Sequence, residues 1–271
     1  MRIIFVIVLL LLPCSTHPKK AAHSSLQKQL NALTPKQLER IGNKIWDNES
    51  NKSIDKLTWW IKGESCASLG IGHFIWYPKN GSDGFTQTFP ALLEYLVSHG
   101  VALPTWLTCN TACPWSTHAD FFAAFASKQM QELRTLLSTT IDLQTKFMIH
   151  NACTCFDTML AQAPRDKKAT IKKQLECIAQ DNNGLYALVD YQHCKGIGVN
   201  KNERYNDKGW GLLQVLEEMQ NTQNNKSATQ EFAECAKKIL TERTENAPQE
   251  KNEQRFLLGW KKRINTYTQP L

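Results

Sequence analysis

The chain holds 271 residues, 42% of them hydrophobic, 21% charged and 9% aromatic. That length and apolar content build a packed core and exclude wholesale disorder or collagen-like repeats. The formal charge of +7 falls to about +4 without Arg2, Lys19 and Lys20; so small a surplus favours anionic surfaces without marking a nucleic-acid binder.

Met1-Arg2 supplies a positive start, Ile3 to Leu12 run apolar without a break, and Pro13 ends the run. Ten apolar residues fall short of the roughly 20 that a spanning helix needs, and they suit the h-region of a signal peptide. Residues 1–22 are therefore expected to be a leader, and residues 23–271 a single exported domain, periplasmic or secreted, with no integral membrane segment. Cysteine usage agrees. Losing Cys14 leaves Cys66, Cys109, Cys113, Cys153, Cys155, Cys177, Cys194 and Cys235, an even set that in an oxidising compartment reads as up to four disulfides among about 105 pairings. A metal reading would recruit His150, Cys153, Cys155 and the His193-Cys194 pair, but Cys-x-Cys lacks the two-residue spacing of a zinc clasp, so no metal or cofactor is expected.

After a polar lead-in over 18–33, Thr34 as N-cap, Pro35 in the first turn and Gln37 at the third position form a capping box that starts a helix. Leu38, Ile41, Ile45 and Trp46 fall on one helical stripe, and the next position on it is Glu49. A carboxyl at the end of an apolar stripe loses water, which favours the neutral acid. From residue 51 to 88 the helical period fails. An aromatic, β-rich run over 68–77 and the turn Pro78-Lys79-Asn80-Gly81 predict a small β-hairpin or short sheet directly after that helix. Beyond Phe89 the pattern is mainly helical. Helices are expected from a Ser116 cap through Phe125, and over 130–137, 145–161, 168–179, 211–219, 227–242 and 256–264, with a solvated loop over 220–227. The fold class is α+β, predominantly α-helical, with one β element in the N-terminal third.

Ser68-Leu69-Gly70-Ile71-Gly72-His73 resembles the hairpin motif of phage-type lysozymes, in which Thr-Ile-Gly-Ile/Tyr-Gly-His follows a catalytic Glu. Glu49 precedes Ser68 by 19 residues, a few more than that family usually shows, and the resemblance spans about 15% of the chain. It implies a lysozyme-like fold with Glu49 as general acid. Ser68 stands in place of the family's Thr, His73 closes the hairpin, and Gly70 and Gly72 let the backbone approach a sugar strand. The second carboxylate has no clean counterpart; Glu64 is preferred and Asp55 is the alternative. Hydrolysis usually uses two carboxylates, whereas a lytic transglycosylase manages with one Glu and the sugar's own 6-hydroxyl. Gly209-Trp210-Gly211-Leu212-Leu213-Gln214 is similar to the Gly-Leu-Met-Gln motif of soluble lytic transglycosylases, which ranks Glu203 second as an acid.

Trp60 and Tyr77, beside charged or turn residues, are the expected sugar-stacking rings. Lys261-Lys262-Arg263 complement a helix C-terminus and call for no nucleic-acid partner. No phosphate loop or serine-hydrolase elbow occurs. A Cys66 nucleophile near His73 is the weaker reading, because exported cysteines are more often paired. The expected function is an exported glycosidase, muramidase or lytic transglycosylase, acting on the β-1,4 bond of peptidoglycan strands. The alternatives are a non-catalytic exported glycan-binding or adaptor protein and a secreted factor meant for a host cell.

Overall fold

A computed structural model describes residues 32–82, 86–220 and 226–271. The expected leader, nearly all of the polar lead-in and most of the 220–227 loop lie outside the described residues. Two compact units are present, Thr34–Met148 and Ile149–Leu271.

The first unit opens with α1, Pro35–Ser50, and its capping box is formed as expected: Thr34 Oγ1 accepts from the Gln37 N–H, and Gln37 Oε1 accepts from the Thr34 N–H at 2.8 Å. Leu38, Ile41, Ile45 and Trp46 are buried on one stripe. The helix stops at Asn51 and Lys52, both left-handed (φ 52° and 54°), with the Asn51 N–H returning to the Asp47 carbonyl at 2.8 Å. This is the αL type of helix end, and it sets Glu49 in the last turn.

A 3-10 turn at Asp55–Leu57 leads into β1 (Thr58–Trp59), β2 (Ala67–Leu69) and β3 (Phe74–Trp76). They form one antiparallel sheet ordered β1-β2-β3, pairing Trp59 with Ser68 and Ser68 with Ile75. The expected hairpin is its β2–β3 half. Period-two alternation puts Thr58, Leu69 and Phe74 on one face and Trp59, Ser68 and Ile75 on the other. Helices α2 (Phe89–Ser98), α3 (His118–Ala123), α4 (Lys128–Thr139) and the start of α5 (Ile141–Gln162) complete the unit. Thr117, one residue later than the expected Ser116, caps α3 by accepting from the Asp120 N–H at 3.1 Å. Trp76 is the centre of the aromatic core: it is fully buried, packs on Phe89 with ring centroids 5.0 Å apart, and donates its indole N–H to the Thr111 carbonyl.

The second unit takes the rest of α5, then α6 (Lys168–Ile178), α7 (Asn182–Lys195), β4 (Arg204–Tyr205), β5 (Lys208–Gly209), α8 (Leu212–Glu218), α9 (Ala228–Asn246) and α10 (Gln254–Asn265). Two of these elements correct the sequence reading. The β4–β5 ribbon is a second β element, turned by Asn206 and Asp207 in the left-handed region (φ 49° and 62°); such a pair is a known two-residue hairpin signal. Helix α7 escaped notice because every residue from Gly184 to Gln192 is buried, so no polar face marks a period, and Asn182-Asn183-Gly184 reads as a turn. Asp181 caps it instead, Oδ1 accepting from the Gly184 N–H at 2.8 Å. None of the eight described cysteines forms a disulfide. Among the described residues no helix is long and apolar enough to cross a membrane.

Gly184 is where α7 crosses the end of α6, and a Cβ there would land on the Ile178 carbonyl oxygen. Gly184→Ala is expected to cost about 1–3 kcal/mol, as overpacking does, read as a lowered urea midpoint; an unchanged midpoint would refute the tight crossing.

Candidate active site

Glu49 ends the buried stripe of α1 with its side chain 10% exposed, and its Oε2 lies 3.5 Å from Nδ1 of His73, itself 27% exposed. This is ion-pair range, longer than a hydrogen bond. The partner sits at the end of the β2–β3 turn, where the His73 backbone is left-handed (φ 46°). A side chain in that region costs about 1–2 kcal/mol. A glycine would hold the turn more easily, yet the position carries an imidazole directed at an acid.

The turn itself is held from α5. Gln144 is fully buried; its Oε1 accepts from the Ile71 N–H at 3.0 Å, and its Nε2 donates to the Leu137 carbonyl at 2.6 Å and to Thr140 Oγ1 at 3.1 Å. Gly70 is left-handed (φ 68°), and a Cβ there would collide with Gln144 Oε1. At Gly72 a Cβ would sit 2.7 Å from the Phe74 ring. Both glycines are buried. They make room for the protein's own atoms, not for a sugar strand, which corrects the reason expected for them.

The remaining expected site residues have surroundings of their own. Ser68 is buried in the central strand, and its Oγ has no hydrogen-bond partner among the described residues. Trp60 is buried, donating its indole N–H to the Glu64 carbonyl at 2.8 Å and meeting Phe121 edge-on. Tyr77 is also buried, with its main-chain N–H on Gln87 Oε1 and its carbonyl on the Cys113 N–H. Neither ring presents the open face that stacking on a sugar requires. Glu64 lines a separate cleft of about 400 Å³ with Trp60, Ser65, the Pro78–Gly81 turn and residues 116–118, and Glu49 is not part of that lining. Asp55 is 68% exposed and lies 3.7 Å from the buried Arg134.

Gln144 is the site residue that sequence reasoning missed. It lies 73 residues from Ile71, and no local motif connects the two. Burial pushes the Cys113 and Cys153 thiols up to about 12, leaving them neutral and poorly nucleophilic.

In the second unit, Gln214 of the Gly-Leu-Leu-Gln motif is a bolt: Oε1 accepts from the Gly211 N–H and Nε2 donates to the Gly198 carbonyl, both at 3.0 Å. Glu203 is half-buried; burial raises its carboxyl above the ordinary range, against lowering by an Asn200 hydrogen bond and by Arg243. Arg263 does more than complement a helix end. It forms a bidentate pair with the fully buried Asp190 at 2.7 and 2.8 Å.

Compared with models of protein families, with curated proteins and with solved structures, the chain matches none.

Gln144→Leu leaves the buried Ile71 N–H without its acceptor. The expected cost is about 1–3 kcal/mol in a denaturant melt, together with a shifted His73 imidazole resonance; an unmoved His73 signal would show that Gln144 does not position the turn.

Proposed function

We propose that Glu49, oriented by His73, is the general acid and base of an exported enzyme that cleaves the β-1,4 glycosidic bond of peptidoglycan, acting as a lytic transglycosylase in preference to a muramidase. The observation that carries the reading is a carboxyl 10% exposed, at the end of an apolar stripe, beside an imidazole held in a costly backbone conformation. A desolvated carboxyl suits a general acid, since burial favours its neutral form. The resemblance of the Ser68–His73 run to the phage-lysozyme motif supports the same assignment.

Glu49 gives its proton to the glycosidic oxygen as the C1–O bond breaks through an oxocarbenium-like state. The 6-hydroxyl of the same sugar then attacks C1, and its proton returns to the Glu49 carboxylate. One carboxyl completes both halves. Glu64 opens on a cleft whose lining leaves Glu49 out, which favours this single-acid chemistry over a two-carboxylate hydrolysis. His73 is a positioning residue that keeps the Glu49 carboxyl oriented.

Glu49→Gln should lower fragment release from purified peptidoglycan by about 10²–10⁴-fold, the range of general-acid contributions, while the melting temperature stays near the parent's. Mass spectrometry of the parent's products should show 1,6-anhydro sugars. Reducing ends would move the chemistry to hydrolysis, and intact but bound glycan would favour the binding-protein reading. His73→Gly separates role from strain: stability should hold or rise as the left-handed backbone relaxes, while cleavage falls. A drop in both would make His73 structural.

A further inference from the structure

We propose that the second unit carries a binding site for an oxyanion, a carboxylate or a phosphate, anchored by Lys195 and completed by Arg243. The proposal is independent of the glycan-cleaving reading, because both residues belong to the Ile149–Leu271 unit.

Two similar triads surround the end of α7. In one, Glu253 receives Arg243 through Nε and Nη2 at 2.6 and 2.8 Å, and the Tyr205 hydroxyl at 2.9 Å. In the other, Asp190 receives Arg263 through Nε and Nη2 at 2.8 and 2.7 Å, and the Tyr267 hydroxyl at 2.8 Å. Each carboxylate is thus engaged on both oxygens, and each arginine is neutralised within its own triad. Lys195, at the last position of α7, is the surplus cation. It is 8% exposed, and its Nζ stands 3.7 Å over the Trp260 ring. Among the described residues no carboxylate or hydrogen-bond acceptor meets it.

With most of the side chain out of water, the ammonium keeps little hydration, and cation–π attraction replaces only part of what it loses. Burial first, and then repulsion from Arg243 and Arg263 against weaker attraction from Cys194 and Glu253, pushes the amine down to about 7. An oxyanion supplies the missing partner as a charge-assisted hydrogen bond. A second cation lies nearby. Arg243 spends Nε and Nη2 on Glu253 and stands over Trp210 with Cζ 4.0 Å from the ring centroid, leaving Nη1 outside the triad. Arg243 Cζ also stands 5.0 Å from the Trp260 ring that Lys195 faces, so two cations share one ring. Trp260, whose ring Lys195 faces, and Gly196, the residue after Lys195, are half-exposed, so solvent reaches the cluster.

Pulse acetylation of the full chain with acetic anhydride, read lysine by lysine by mass spectrometry, tests the site without any variant that must fold. The probes are inorganic phosphate, N-acetylmuramic acid and, as its counterpart lacking the lactyl carboxylate, N-acetylglucosamine. At an anion concentration about four times its Kd the acetylation of Lys195 should fall about fivefold, while exposed Lys201 and Lys208 keep their rates and N-acetylglucosamine changes nothing. Protection by phosphate alone assigns a phosphate site, and protection by the muramic acid alone assigns a carboxylate-bearing sugar. A Lys195 rate insensitive to both anions, or a Lys195 that is never acetylated, overturns the proposal. Either result is independent of whether glycan is cleaved, so this proposal and the glycosidase reading fail separately.

Discussion

The hydrogen bond from the Ile71 N–H to Gln144 holds the candidate site in the first unit together. The β2–β3 turn has little of its own to keep it in place: three-residue strands, two glycines and a histidine in an unfavourable backbone region. Such a segment samples many conformations unless something outside it intervenes. The fully buried Gln144 does so with three hydrogen bonds, one to the turn and two that tie its own amide to α4 and to the start of α5. A polar group this deep is expensive unless its bonds are made. With them made, the turn has one position, and His73 reaches Glu49 from it.

The other half of the pair is held by the way α1 ends. A helix that continued past Ser50 would carry Glu49 into its middle, with the acid flanked by further turns. Asn51 and Lys52, both left-handed, stop it instead. Three unfavourable backbone residues therefore converge on one carboxyl–imidazole contact: two beyond the helix and one closing the turn. Strain gathered at one place is characteristic of sites where geometry matters more than stability. The packing of Trp76 against Phe89, Trp106 and Trp115 supplies apolar burial that offsets that cost.

The second unit follows a different logic. Its interior contains two arginine–carboxylate–tyrosine triads, an uncommon load of buried charge. Buried pairs of this kind contribute little net stability but tolerate only one arrangement, since losing either partner leaves a charge stranded. They therefore fix how α7, α9 and α10 meet. Lys195 lies between them without a carboxylate of its own, which is why the end of α7 is chemically distinct from the rest of the core.

Features that depend on neighbouring residues were readable before any fold was known. The Thr34–Gln37 capping box, the buried stripe leading to Glu49, the β-rich run after it and most helix positions in the second half were of this sort, because caps and helical periods involve contacts three or four residues apart. Burial all round erased the period of α7, and the crossing that makes Gly184 necessary lies between helices. The assignment of Trp60 and Tyr77 to the core follows from how the tertiary structure packs them; adjacency in the chain says nothing about that. Gln144 is the clearest case. An isolated glutamine in a helix carries no signal, and its role exists only because folding brings Ile71, 73 residues away, to a buried amide that must be satisfied.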